Sequence, residues 1–282
     1  SAQKLKEEFW RTLYDQDAPF TTGSMIAQNL IFQEANNNGS KVLLGGQGGD
    51  EGFMGYRKYI LFHALRLFET KQYIEGFKFF ANQMGLVTAE ANHVLAYWKR
   101  RKAYFGKKEA TTLLGLEDQK PLNLRMPKEM SIIERQCLDV TRYSLPTLLR
   151  YEDRNSMGNS VETRLPFMDY RLIELGIALP IKLKLNNGYG KYCLRQITEG
   201  IVPDKIRLAR YKMGFDTPDK MWLEGGLAED MYGRLADSWS VIRPYFESRD
   251  DFETNFSSGN IMKRPLGFRE GLSLCWLGGL HR

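Results

Sequence analysis

Val42-Leu-Leu-Gly-Gly-Gln-Gly-Gly-Asp-Glu-Gly-Phe-Met-Gly-Tyr56 decides how the rest of the chain is read. Its apolar opening, Val42 to Leu44, predicts a short buried strand. The strand runs into Gly45, Gly46, Gly48 and Gly49 and then two adjacent carboxylates, Asp50 and Glu51. Glycines allow a backbone to approach phosphate oxygens with its N–H groups turned inward, and a carboxylate just beyond can hold a Mg²⁺ ion that bridges those phosphates. Strand, glycine loop and acid together point to a nucleotide or pyrophosphate site at the end of a sheet strand. The competing reading is a tight turn capped by Asp50. No Lys-Ser/Thr pair follows the glycines, so this is not a Walker A loop, and the spacing is not that of a dinucleotide fingerprint.

Composition bounds the alternatives. The 282 residues can bury a sizeable core. Forty Lys+Arg against 34 Asp+Glu give +6, mixed in sign along the chain, with no basic arm for nucleic acid. Cys137, Cys193 and Cys275 are far apart and odd in number, which argues against a disulfide framework or a zinc site and fits a reducing, cytoplasmic setting. His63, His93 and His281 form no pair with metal-ligand spacing. No apolar run reaches the length of a membrane span.

Helical periodicity is expected over Lys4–Tyr14 and Ser24–Asn36, and three helices over Tyr59–Trp98 broken near Thr70-Lys71 and Gly85-Leu86. The stretch 103–128, with Gly106, Gly115, Pro121 and Pro127, reads as irregular. Further helices follow from Met130 to about Ser144 and from Leu145 to Asn155. Asp169 is placed to cap a helix through Ala178 that Pro180 stops. Beyond Pro218 the pattern is helical in part. One sheet strand is expected, at Val42.

Three downstream segments and one upstream segment join the loop: Asp153-Arg-Asn-Ser-Met157, Val161-Glu-Thr-Arg-Leu-Pro-Phe-Met-Asp169, Gly190-Lys-Tyr-Cys-Leu-Arg195 and, upstream, Gln16-Asp-Ala-Pro-Phe20. In this order, from about Tyr14 to about Pro218, they resemble the synthetase domain of the asparagine synthetase family. The resemblance implies a helix-rich α/β fold of the adenine-nucleotide α-hydrolase-like (PP-loop ATPase) kind. It also implies ATP and Mg²⁺ as cofactors, adenylation of an aspartate β-carboxylate, and displacement of AMP by glutamine-derived ammonia. Members carry an N-terminal glutaminase domain that begins with a cysteine, and a Ser-Gly-Gly-x-Asp-Ser pyrophosphate loop. Neither occurs here, so the expectation is a C-terminal portion, residues 1–282, inactive alone, whose parent is cytoplasmic and assembles with its glutaminase domain and as a homodimer. No nucleic-acid or membrane partner is expected.

By the same resemblance Gly45, Gly46, Gly48 and Gly49 bind the nucleotide, Asp50 holds the metal, and Lys191 stabilises charge on the adenylate and pyrophosphate. Lys191 also opens a predicted helix, where an anion would reverse an unfavourable dipole contact. Gln47 stands where several members carry Glu; a neutral amide can orient or hydrogen-bond but is no general base. Glu162 is the acid–base or substrate-orienting candidate of the downstream segment. The charges Glu152, Asp153, Arg154, Arg164, Asp169 and Arg171 read as ion pairs that fix helices, and Arg207, Arg210 and Lys212 as a solvated face or a lining of the anionic site. Two rival readings share these residues: a related amidotransferase or ring-closing synthetase with another carboxylate, and a non-catalytic helical interaction module.

Overall fold

Leu5, Phe9 and Leu13 recur at helical spacing, and α1 (Ala2–Gln16) turns that stripe inward. The computed structural model describes residues 2–20, 22–89, 113, 130–210, 217–261 and 267–279. Next come α2 (Ser24–Asn37), β1 (Val42–Leu44), the single turn α3 (Gly49–Gly52), α4 (Arg57–Glu69) and α5 (Tyr73–Ala89). Two helices, not three, therefore occupy the described part of Tyr59–Trp98. The break at Thr70-Lys71 holds, whereas α5 runs through Gly85, since one interior glycine costs only about 1 kcal/mol. Apart from Leu113, the expected irregular stretch lies outside the described residues, as do His93, Lys212 and His281.

The second half opens with α6 (Ile132–Leu138), entered through a Ser131–Glu134 capping box and continued by a π-helical turn, Asp139–Tyr143. Then follow α7 (Leu145–Gly158), β2 (Glu162–Arg164), α8 (Tyr170–Ala178), α9 (Ile181–Lys184), α10 (Tyr192–Ile197) and α11 (Asp204–Arg207). The Asp169 side chain accepts the Arg171 amide at the start of α8, as its position predicts. Among the described residues six further α-helical segments follow: α12 (Asp219–Trp222), α13 (Ala228–Asp237), α14 (Trp239–Ile242), α15 (Arg249–Phe256), α16 (Ser258–Ile261) and α17 (Gly267–Gly279).

The sheet departs from expectation. β2 pairs parallel with β1, Val42 opposite Glu162 and Leu44 opposite Arg164. Registered partners point to one face of a sheet, so Val42, Leu44, Glu162 and Arg164 share a face. That face is open: Val42 is 42% and Leu44 77% exposed, and the strand is not buried. Parallel sheets are ordinarily covered on both faces, and among the described residues this one has two strands and no layer over that side.

Two apolar cores carry the packing. The larger gathers Phe9, Leu13, Phe20 and Ile26 with Leu227, Met231, Leu235, Ile242, Phe246, Phe252, Phe256 and Leu272, so α1 is clamped by the C-terminal helices. The smaller one, Met54, Tyr59, Phe62, Ile132 and Leu185, lies beneath the glycine loop. Between α1, α2 and α7 the tie is polar. Gln16 donates to Tyr151 O and Asn155 Oδ1 at 2.9 and 2.7 Å, Asn155 to Met25 O at 3.0 Å, and Asn29 to Thr12 at 2.9 Å. These buried amides tie the three helices together, although Gln16 Oε1 itself is buried without a partner.

Candidate active site

The loop begins where β1 ends. Gly45 N–H donates to Arg164 O at 2.9 Å, which ties it to β2. A Cβ on Gly45 would lie 2.5 Å from Glu152 Oε1 and 2.6 Å from Leu165, so a side chain there would have to displace both. A Cβ on Gly46 would meet nothing within 4 Å, which leaves that side open. Gly48 adopts φ +91°, a left-handed conformation that side chains disfavour, and starts α3. Gly49 packs on the Phe167 ring, and its amide points back to Gly46 O at 3.4 Å. Two of the loop amides expected at the phosphates, those of Gly45 and Gly49, thus point to the chain itself.

Asp50, in the first turn of α3, meets Lys191: Nζ to Oδ1 is 2.9 Å, with both side chains about one-third exposed. The two residues reach each other because two backbones cross without side chains between them. Lys191 N–H donates to Phe53 O at 3.2 Å. A Cβ on Gly190 would lie 2.7 Å from Met54 O. One on Gly55 would lie 1.9 Å from Asp50 Oδ1 and 2.3 Å from Lys191 Cε. Met54 and Lys191 both take positive φ, +53° and +51°, in the left-handed region. Such a residue costs on the order of 1–3 kcal/mol and concentrates at functional sites. Lys191 precedes the first residue of α10, where an ammonium alone opposes the helix dipole; the Asp50 carboxylate offsets it.

Beneath the pair the loop is braced by buried polar groups. Glu51 Oε1 accepts from Tyr56 OH at 2.6 Å and Ser144 Oγ at 2.9 Å, so this carboxylate works inward. Burial and the neighbouring Glu51 push the Tyr56 phenol above its usual range, which keeps it a donor. Gln136 donates to Glu51 O and Gly52 O at 3.0 and 2.6 Å. Lys184, fully buried, donates to Gln136 Oε1, Gly176 O and Ile177 O at 2.8, 2.9 and 3.1 Å. It links the last carbonyls of α8 to the loop, and burial pushes its ammonium down to about 8. Asp139 receives Lys58 at 2.9 Å and Arg135 at 3.2 Å, a buried triad that joins α4 to α6.

Behind Gly45 lies Glu152, a buried carboxyl on α7 whose hold on its proton desolvation strengthens; Gln47 follows two residues on in the loop. Glu162 is not brought to the Asp50–Lys191 pair. Its side chain is 58% exposed and pairs with Arg164 at 2.9 Å, at the starting end of β2, whereas the loop leaves the finishing end of β1. Arg207 is buried against Asp204 and Glu199 at 2.8 and 3.3 Å, a structural clamp on α11, while Arg195 and Arg210 both lie about 5 Å from the Tyr189 ring. Sequence reasoning passed over Gly55, Gly190, Gln136 and Lys184. The two glycines already stand inside the quoted motifs, but nothing local marks Gln136 or Lys184. Cys137, Cys193 and Cys275 are free thiols, and among the described residues no helix is long and apolar enough to cross a membrane.

Comparison with known proteins places the chain as a whole in a family. Residues 1–252 match the profile of the asparagine synthase family. Asparagine synthetase [glutamine-hydrolyzing] 1 of Bacillus subtilis is 27% identical over 248 residues, covering 81% of this chain and 39% of that protein. A putative asparagine synthetase of Mycobacterium bovis is 27% identical over 263 residues, covering 83% and 39%. Asparagine synthetase [glutamine-hydrolyzing] 3 of Bacillus subtilis is 44% identical over 121 residues, covering 43% and 20%. The chain spans about two-fifths of the length of the first two relatives. No solved structure matches significantly. With the family profile covering the glycine loop, Asp50 and Lys191 in one continuous match, the chain belongs to the asparagine synthase family.

Proposed function

We propose that this chain is the ATP-using part of a glutamine-dependent asparagine synthetase, an ATP-dependent carbon–nitrogen ligase. In this reading an aspartate β-carboxylate attacks the α-phosphorus of ATP, pyrophosphate leaves, and ammonia released from glutamine then displaces AMP. The observation that carries it is the 2.9 Å contact of Lys191 Nζ with Asp50 Oδ1 across the Gly55–Gly190 crossing. An ammonium and a carboxylate, held at the mouth of a glycine loop by two strained backbones, suit a polyphosphate that carries a divalent cation.

The donor set fits Mg²⁺. Asp50 offers hard carboxylate oxygen at a partly exposed position, while Glu51 is committed to Tyr56 and Ser144. Mg²⁺ characteristically takes one or two carboxylates and completes its shell with phosphate and water oxygens, so no all-protein cage is required. When bound, the ion neutralises phosphate charge. Lys191 supports the negative charge that grows on the leaving pyrophosphate, a preorganised contact of the kind worth roughly 100- to 1,000-fold in rate. Gly46, with open space on its outer side, leaves room for the nucleotide to approach the backbone. Gln47, a neutral amide, orients a substrate by hydrogen bonding.

The test is pyrophosphate release from ATP by the full-length protein with aspartate, with and without ammonia. Lys191→Met is expected to lower release roughly 100- to 1,000-fold with melting unchanged within about 3 °C. Full turnover in that variant, or no aspartate-dependent release in the wild type, overturns the proposal. Gln47 favours a second reading, a related amidotransferase acting on another carboxylate; release with a different carboxylate and none with aspartate would select it.

A further inference from the structure

We propose that Lys184, acting through Gln136, is a positioning residue for Asp50: the buried ammonium locks the Gln136 amide in the one orientation that grips the carbonyls of α3, and the gripped turn presents the Asp50 carboxylate to a phosphate-bound divalent cation. The inference deepens the function proposed above and rests on it for the identity of the ligand.

Asp50 lies in α3, a single turn of four residues. One turn fixes several backbone angles for very few hydrogen bonds and does not hold itself. Its own ties are Gly52 N–H to Gly48 O and Gly55 N–H to Asp50 O, both 2.8 Å. Further support comes from side chains beneath it. The Glu51 carboxylate is turned inward to Tyr56 and Ser144, and Gln136 Nε2 donates to Glu51 O and Gly52 O at 3.0 and 2.6 Å. Gln136 thus gives the last carbonyls of the turn the donors that a helix end lacks. The end of α8 also lies against the turn: a Cβ on Gly176 would stand 2.5 Å from Gly52 O. With Glu51 and both carbonyls anchored below, Asp50 is the acid of the turn that reaches the partly exposed side, where it meets Lys191.

The sense of the Gln136 amide follows from chemistry. An amide has a donor end and an acceptor end that a flip exchanges. Lys184 Nζ, which carries donors only, lies 2.8 Å from Gln136 Oε1. Flipped, the amide would set its NH₂ against an ammonium and its oxygen against two carbonyl oxygens. Both contacts repel, so one orientation survives. Lys184 is itself held by Gly176 O and Ile177 O at 2.9 and 3.1 Å, in the closing turn of α8. Gln136 and Lys184 are fully buried, and among the described residues no carboxylate pairs with Lys184. A buried ammonium without a counter-ion is costly. Three neutral oxygens satisfy this one, and what its charge adds over a neutral donor is the fixed sense of the amide. The relay runs from the end of α8 through Lys184 and Gln136 to the turn that carries Asp50.

The experiment uses the full-length protein. It reads amide hydrogen exchange at Gly52 and Gly55 without ligand, the Mg²⁺ concentration that half-saturates aspartate-dependent pyrophosphate release, the kcat at saturating Mg²⁺, and the melting temperature. Gln136→Met is expected to speed exchange at both glycines and to raise the half-saturating Mg²⁺ about tenfold each, the worth of roughly one hydrogen bond, with kcat within about twofold. Lys184→Met shifts exchange and Mg²⁺ in the same direction by about threefold, since the amide remains but is no longer held. Because Lys184 acts through Gln136, the double variant should match Gln136→Met alone instead of multiplying to about thirtyfold. Gln136→Glu keeps an oxygen for Lys184 and loses the donor to α3. Its melting therefore stays closer to wild type than that of Gln136→Met, while the half-saturating Mg²⁺ rises at least about tenfold. The inference is overturned if the single effects multiply in the double variant. It is overturned equally if the variants lower melting and leave the half-saturating Mg²⁺ unchanged, the result of a merely structural brace. Exchange needs neither ATP nor turnover, so it separates this inference from the proposed function. A wild type that releases no pyrophosphate refutes that function and the ligand with it; quickened, non-multiplying exchange then keeps the relay as the hold on Asp50, and unchanged exchange removes the relay too.

Discussion

The glycine loop and the C-terminal helices are held by opposite means. Between α12 and α17 stability comes from aromatic burial: Phe252 packs against Trp239 and Phe246 at 5.4 Å and lies parallel to Phe256 at 6.3 Å. In the loop the defining atoms are the ones left out. Gly45, Gly55 and Gly190 have no Cβ because Glu152, Lys191 and the Met54 carbonyl occupy that space, and buried amides and charges do the bracing. An apolar core degrades in proportion to the volume removed, whereas a crossing of this kind fails on the addition of one methyl group. The first region sets whether the chain folds; the second sets where an ammonium and a carboxylate meet.

Four measurements sharpen that contrast. Phe252→Ala removes a fully buried ring and is expected to cost about 3–5 kcal/mol in urea unfolding; a loss below about 1 kcal/mol would break the assignment of stability to this core. Gly55→Ala should behave the other way. Its Cβ would push Asp50 and Lys191 apart, both flexible side chains, so pyrophosphate release falls at least about 100-fold, ~2.7 kcal/mol of barrier, while melting shifts by less than about 4 °C. Equal damage to folding and turnover would refute the separation.

Lys184 tests the brace. Its folded ammonium releases its proton near 8, below the ordinary lysine range of the unfolded chain. Between those limits the unfolded state binds more protons, so stability must rise as pH increases from about 8 toward about 10.5, and the gain disappears as pH falls back through 8. Urea unfolding at several pH values across that window reads the slope, and Lys184→Met should abolish it. The smallest effect belongs to Glu162→Gln: an exposed carboxylate at the far end of β2 is expected to change stability by less than about 0.5 kcal/mol and turnover by less than about twofold. A tenfold loss of turnover would return Glu162 to the site.

Much of the local structure was legible. The Asp169 cap, the Pro180 stop and the strand-to-glycine transition at Leu44 each have a short-range cause. β2 was not legible, because Glu162-Thr163-Arg164 lacks the alternation that marks a half-buried strand, and its pairing comes from a partner more than a hundred residues away. The charges of the downstream segment were expected to make ion pairs. Arg171 with Asp169 and Arg164 with Glu162 do so, whereas Glu152 is a buried acid behind Gly45. The stretch after Pro218 reads as weakly patterned, yet it supplies most of the larger core; its short helices turn too often for one periodicity to emerge.

The sequence by itself determined the family, the helix boundaries set by caps and prolines, and the glycines that leave room at the loop, because each of these is written in residues close along the chain. Only the tertiary structure decided that Lys191 stands on Asp50, that Gly55 and Gly190 make that contact reachable, and that Glu152 fills the space behind Gly45. Those facts depend on which distant backbones cross, and crossing is settled by long-range packing and by the cost of leaving buried charge unmatched.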